Sequence, residues 1–258
     1  MMKLFDTHTH YDDYAYDEDR EELIPRLLSE SVAGFIAAGC TLDRSENAVK
    51  FAEKYPSVYA SIGIHPQDVY NLPRDYLQTL EHLAKSRKVK AVGEIGLEYY
   101  REYDRVRQKK AFIEQLEMAQ TLKLPVIIHS REAFSDTYEI LLEYTTKGIK
   151  AVCHCFSEDA AAARKLAEIG VFVSFTGVIA FEKKNERVVD ACKNVPLELL
   201  LLETDCPYLA PPPFRGKRCD SGMAWYTAQK IAQIKKQTTD KIVEICNNNA
   251  RKFFGIDF

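Results

Sequence analysis

The 258-residue chain has no apolar run approaching the roughly 18 residues of a membrane-spanning helix, so no spanning segment is expected. Its opening, Met1-Met2-Lys3-Leu4-Phe5-Asp6, meets charge too early for a secretory signal. Its seven cysteines (40, 153, 155, 192, 206, 219, 246) include no CxxC pair. An odd, scattered set without a leader reads as reduced thiols, and a cytoplasmic location is the expectation. No basic excess exists either: the net charge is −3 and the pI about 6.1. That argues against a broad cationic surface for nucleic acid, so any polyanion contact must be local or carried by metal ions. No Gly/Ser linker, low-complexity segment or short repeat divides the chain. We therefore expect one domain over residues 1–258, and a monomer, since no exposed apolar seam can be traced.

What the chain has is alternation. Eight short apolar runs stand out: Leu4–His8, Gly34–Ala38, Val58–Ile64, Lys90–Ile95, Val126–His129, Ala151–His154, Val171–Phe175 and Leu199–Thr204. Rich in Val, Ile and Leu and lacking strict polar alternation, they suit strands buried on both faces of a parallel sheet. Between them lie amphipathic stretches with charged faces: Glu18–Ser31, Leu42–Lys54, Arg74–Ser86, Asp104–Leu122, Glu132–Thr146, Glu158–Ile169 and Glu186–Lys193. Ala224–Lys236 and Asp240–Asn248 follow the last strand. Gly34, Gly148 and Gly170 stand where helices give way to strands, as C-cap and turn glycines do. Eight strands alternating with helices predict a (β/α)8 TIM barrel. A doubly wound open sheet is the alternative, but its Gly-rich phosphate turn after the first strand is replaced by His-Thr-His.

The chemistry concentrates at strand ends. Asp6, His8 and His10 alternate onto one face of the first strand. Two imidazoles there make poor core filler and good ligands for a divalent metal such as zinc. Strand three ends in His65-Pro66, strand four carries Glu94, strand five ends in His129-Ser130-Arg131, strand six in His154, and strand eight runs into Asp205. Five of the six histidines fall in these windows; His82, on a helix beside Glu81, reads as solvated surface. In a TIM barrel the carboxyl ends of the strands form one face. Glu94 sits among apolar residues and Asp205 follows four leucines, so each must be paired, hydrogen-bonded or metal-bound if buried. A core ion pair is the competing explanation, yet no arginine lies within these strands. His129 and His154 could singly be satisfied core histidines. Cys153 and Cys155 flank His154 and should point away from it, as small packing residues.

Together the motifs resemble the TatD family of metal-dependent deoxyribonucleases, within the amidohydrolase-like barrels. They are Asp6-Thr7-His8-Thr9-His10, Gly63-Ile64-His65-Pro66, Gly93-Glu94-Ile95-Gly96-Leu97, Ile128-His129-Ser130-Arg131, His154-Cys155-Phe156-Ser157, Glu203-Thr204-Asp205-Cys206-Pro207-Tyr208-Leu209 and Asn249-Ala250-Arg251. The resemblance implies a barrel that binds divalent metals at its mouth, with ligands falling on His8, His10, Glu94, His129, His154 and Asp205. That count fits two cations: His8, His10, Glu94 and Asp205 around one, Glu94, His129 and His154 around the other, with Glu94 bridging. Mixed nitrogen and carboxylate ligands admit zinc, manganese or cobalt, with magnesium as a weaker occupant. Asp205 and Glu94 are the expected catalytic carboxylates, Asp205 orienting water and accepting its proton. Arg131 is a candidate phosphate contact and His65 a substrate contact or proton donor, each with a structural alternative: a surface salt bridge and a turn histidine.

The implied activity is metal-dependent hydrolysis of DNA, as a 3′–5′ exonuclease on single strands or 3′ ends. A hydrolase of small esters or amides on the same centre is the alternative, and a non-catalytic metal-binding protein a third. Two departures from the family pattern bear on substrate. Glu98 stands where the family usually has Asp, and Arg215-Gly216-Lys217-Arg218-Cys219-Asp220-Ser221 lacks its Asn-Glu-Pro. Around the expected mouth, Tyr99-Tyr100-Arg101-Glu102-Tyr103, Lys183-Lys184 and Phe214 with Arg215, Lys217 and Arg218 mix aromatics and cations as base-stacking surfaces do.

Overall fold

The computed structural model describes residues 2–101, 103–181 and 185–258. Glu102 and the Lys183-Lys184 pair expected at the mouth lie outside them. Eight parallel strands follow one another in chain order around a barrel: β1 (Leu4–Thr9), β2 (Val32–Ala38), β3 (Val58–Ile62), β4 (Val89–Glu98), β5 (Val126–Arg131), β6 (Ala151–Cys153), β7 (Phe172–Phe175) and β8 (Leu200–Leu202). The ring closes between β8 and β1. Thr9 bridges Cys206, the Asp205 N–H donates to the His8 carbonyl at 3.1 Å, and the His10 N–H donates to the Cys206 carbonyl at 2.8 Å. Asp6 completes this seam, its carboxylate accepting from the Thr204 N–H (3.0 Å) and hydroxyl (2.6 Å). Although Asp6 was expected on the face of His8 and His10, its side chain is therefore committed to holding β1 against β8.

The helices are α1 (Arg20–Glu30), α2 (Leu42–Lys54), α3 (Tyr76–Leu83), α4 (Arg105–Leu122), α5 (Phe134–Thr146), α6 (Ala160–Glu168), α7 (Glu186–Asn194), α8 (Ala224–Lys235) and α9 (Thr239–Phe254). Thr41, Asp104, Asp159 and Thr238 cap α2, α4, α6 and α9, each side chain accepting a first-turn N–H that would otherwise lack a partner. Gly148 and Gly170 have φ of 91° and 70° after α5 and α6, as turn glycines require. Gly34 differs. It lies inside β2, where a Cβ would stand 2.1 Å from the Ser57 carbonyl oxygen and 2.9 Å from the Phe5 ring, so close backbone approach selects it.

The last helix runs past the expected stop at Asn248 because its asparagines are anchors. The Asn247 side chain accepts the Phe5 N–H (2.9 Å) and donates to the Lys3 carbonyl, while that of Asn249 donates to the carbonyls of Leu197 and Leu200. Phe253, Phe254 and Ile256 then pack on Phe5, Ile36, Ala91, Ile127, Val152 and Leu201, one residue from each of six strands. Two buried glutamines of α4 act similarly nearer the strand ends. Gln115 accepts the Ile64 N–H (2.7 Å) and donates to its carbonyl (3.2 Å), and Gln108 clasps both backbone groups of Glu98 (2.9 and 3.1 Å). Each replaces ladder bonds at a strand end with rigid side-chain bonds, immediately before a residue at the barrel mouth.

Candidate metal centre

At the carboxyl ends of the strands a cavity of about 580 Å³ is lined by His10, His65, Glu94, His129, His154 and Asp205, among others. Glu94, brought by β4, sits at its centre with its two oxygens facing different neighbours. Oε2 lies 3.3 Å from His8 Nε2 and 3.9 Å from His10 Nε2. Asp205 Oδ1 lies 3.8 and 3.4 Å from the same nitrogens, which are 3.1 Å from each other. Oε1 lies 2.7 Å from His129 Nδ1, 2.7 Å from His154 Nε2 and 3.4 Å from His65 Nε2. The backbone of Asp205 is left-handed, φ 63°, a region in which Asp is among the more tolerated residues.

These separations test whether a cation fits. A tetrahedron with corners about 2.0–2.1 Å from its centre, the usual length for histidine and carboxylate on zinc, has edges of about 3.3 Å. The five measured separations among His8 Nε2, His10 Nε2, Glu94 Oε2 and Asp205 Oδ1 span 3.1–3.9 Å around that value. The donors fit. Two buried ring atoms, His8 Nδ1 and His154 Nδ1, have no hydrogen-bond partner, as expected of imidazoles oriented by something other than protein contacts.

The outer neighbours set the tautomers. His129 Nε2 faces Glu98 at 3.4 Å, and His154 Nδ1 lies 3.7 Å from Glu203. A proton on His129 Nε2 leaves its Nδ1, the nitrogen facing Glu94, as the one a cation would take, whereas His154 Nδ1 is too far from Glu203 for a hydrogen bond. Cys40 Sγ, 3.8 Å from His10 Nδ1, does for His10 what Glu98 does for His129. His65 is arranged in the opposite sense. Its Nδ1 accepts the Gln67 N–H at 3.2 Å as the cap of the turn Pro66–Asn71, which places the proton on the Nε2 that faces Glu94. It is a turn histidine and a member of the cluster at once, oriented as a donor.

Charge is balanced inside this cluster. Burial pushes the Glu94 carboxyl upward, but His154 and His65, with the contacts from His129 and His154, hold it well below the usual carboxylate range. Asp205 is likewise held low: burial opposes the shift and the neighbouring His10 carries it. Burial also opposes the rise of His154 to about 9, which the charge of Glu94 drives. His8, stacked on His154 with centroids 4.1 Å apart, is pushed down to about 4 by burial and by that neighbouring charge. Both carboxylates are therefore anionic, and the two stacked rings are not both positively charged near neutral pH.

The structure brings His8, His10, Glu94, His129, His154 and Asp205 together, and adds His65 to them. Arg131 stands apart at the rim, half-exposed, with Nη1 3.9 Å from Glu98 and its guanidinium 4.0 Å over the Tyr100 ring. Two expectations are corrected. Cys155 does not point away into the core; the chain turns at φ 45° after His154 and the thiol lines the cavity, while Cys153 packs in the core. Arg218 is not free to rim the mouth, because it forms a two-pronged ion pair with Asp19 and donates to the Ala15 carbonyl. Cys40 and Glu203 were not singled out from sequence. For Glu203 the signal existed: it too follows four leucines, and the cost of a buried carboxylate applies to it as much as to Asp205.

A (β/α)8 barrel that gathers histidines and carboxylates around one shared glutamate at its mouth has the architecture of the metal-dependent hydrolases. Residues 5–255 match the family described as TatD related DNase. The chain belongs to that family. It is 37% identical over 259 residues to the Bacillus subtilis protein named uncharacterized metal-dependent hydrolase YabD, covering 98% of this chain and 100% of that one. It is 28% identical over 260 residues to the Escherichia fergusonii protein named 3′-5′ ssDNA/RNA exonuclease TatD, covering 99% and 100%. Among solved structures, YJJV, a TatD homolog from Escherichia coli K12, superposes with a TM-score of 0.92 at 27% identity, covering 98% of each chain.

Proposed function

We propose that this metal-dependent hydrolase cleaves phosphodiester bonds of DNA, removing nucleotides from 3′ ends, with two divalent cations held at the barrel mouth. The observation that carries the proposal is the division of Glu94, one oxygen toward His8 and His10 and the other toward His129 and His154. Asp205 completes the first set, and His65 donates to Glu94 beside the second. When bound, such cations supply positive charge to phosphate oxygens and acidity to water near neutral pH. Asp205, anionic and reaching the cavity, accepts the proton of the attacking water. The planar fork of Arg131 is placed at the rim to hold a non-bridging phosphate oxygen. His65, lining the same cavity with its Nε2–H, is placed to hydrogen-bond a substrate oxygen rather than to give up its proton. The relative named as a 3′-5′ exonuclease supports the choice of substrate.

The test is shortening of end-labelled single-stranded DNA by purified protein, with manganese or with EDTA, beside Asp205→Asn. Loss of a proton acceptor costs about 100-fold or more in rate. Metal-dependent shortening from the 3′ end that collapses in the variant supports the proposal. Turnover of a generic ester with intact DNA would refute it in favour of a small-ester hydrolase. Inactivity on both at full metal occupancy would leave a binding protein.

A further inference from the structure

Six large hydrophobic or aromatic side chains are exposed among the described residues: Met2, Tyr14, Tyr100, Val106, Leu142 and Tyr208. Tyr100 alone among them lies against a cation of the candidate site. Its aromatic neighbour in sequence is engaged elsewhere, since the Tyr99 hydroxyl donates to Asp136 (2.6 Å) and Arg105 covers its ring at 4.2 Å. Tyr208 borders the opposite side of the cavity, but its hydroxyl is tied to Asp13 at 2.9 Å. Tyr100 is 53% exposed and carries the Arg131 guanidinium on its ring at 4.0 Å.

The pair is held from below. Glu98, 1% exposed, accepts the Tyr100 N–H on Oε1 at 2.8 Å. Its Oε2 faces His129 Nε2 at 3.4 Å, the Gln67 amide at 3.3 Å and Arg131 Nη1 at 3.9 Å. One buried carboxylate thus fixes both a ring of the metal cluster and the two side chains at the rim. A planar cation already stacked on an aromatic ring offers a pre-ordered π-face, while its outward N–H donors remain directed to solvent and cavity.

Resting on the nuclease reading above, we propose that Tyr100 and Arg131 form a stacking platform for the unpaired base next to the phosphate being cut. This platform sets the preference for single-stranded nucleic acid. Inside a duplex both faces of a base are covered, and a terminal base, though open on one face, is held in place by its pairing partner, so an unpaired or splayed base is the one free to turn onto the stack. Stacking reads the π-face that every base has, so the platform is indifferent to sequence.

The experiment measures binding of a short 5′-fluorescein-labelled deoxythymidine oligonucleotide, with cleavage-resistant phosphorothioate linkages, in manganese, by fluorescence anisotropy. A second probe is identical except for an abasic 3′-terminal nucleotide. Tyr100→Leu removes the ring and Tyr100→Phe keeps it. The expected result is about tenfold weaker binding of the base-bearing probe by Tyr100→Leu, with Tyr100→Phe close to wild type. The abasic probe should bind all three proteins alike. Equal binding of the base-bearing probe by wild type and Tyr100→Leu overturns the platform, as does an equal loss on the abasic probe. If wild type still shortens DNA in either case, the nuclease reading stands without it. If wild type neither shortens DNA nor binds either probe, both fall together.

Discussion

Replacing Gln115 with Met should destabilise the protein by an amount the geometry specifies. Gln115 is 1% exposed, and its amide satisfies both the N–H and the carbonyl of Ile64 while donating also to the Ala111 carbonyl. Methionine fills a similar volume without polar atoms, so the substitution leaves two buried backbone groups orphaned with little change in packing. Each orphan costs about 1–3 kcal/mol. The added apolar surface returns about 1 kcal/mol, for a net loss near 3 kcal/mol. In a chain of this size that lowers Tm by roughly 6–12 °C. Urea unfolding measures the loss, with Gln120→Met, exposed on the same helix, as a control expected within about 0.5 kcal/mol of wild type. Amide exchange adds a local readout, since the Ile64 N–H should lose protection more than core amides of β1. If Gln115→Met unfolds with the control and Ile64 keeps its protection, the clasp is incidental and the argument for how β3 is terminated is wrong.

Gly34→Ala drives a methyl group into the Ser57 carbonyl and the Phe5 ring, and should cost about 3 kcal/mol or more, visible as lost soluble yield or early urea unfolding. Burial raises the Glu203 carboxyl to about 7 from an ordinary 4.5, so between those values the folded protein binds a proton that the unfolded chain does not. Its contribution to stability is therefore full below about pH 4.5 and lost as pH rises through 7, by at most about 3 kcal/mol. In metal-free protein, Glu203→Gln should accordingly gain on wild type as pH is raised from 5 to 8. Thermal melts across that range check it, and a constant difference would refute it.

The barrel was legible because its strands are short, apolar and evenly spaced, a pattern few other folds share. The convergence of the six residues expected as ligands was legible for a different reason. Histidine and carboxylate at the end of an apolar strand have few other uses, and strand ends of a barrel converge by construction. What could not be seen were contacts made across the fold. Asn247 and Asn249 look like the end of a helix by propensity, yet α9 continues because both amides bind strand backbones more than forty positions away. Gln108 and Gln115 look like solvated helix positions, and their burial depends on which strand end packs beside them. His65 was expected near substrate, but the acceptor role of its Nδ1 depends on the turn geometry at Gln67 and decides which nitrogen carries the proton. Cys155 was misplaced because strand alternation was extended two residues past the end of β6, which stops at Cys153.

The partners of β1 that come last in the chain, on β8 and then on α9, also set when the ring can shut during synthesis. β1 leaves the ribosome first, yet its edge toward β8 and the Phe5 N–H acquire partners only after roughly two hundred further residues have been made. Until then a strand edge lies open to any other nascent chain. Polypeptides stopped before Asn247 should be the aggregation-prone species, and chaperone capture should fall sharply once α9 emerges.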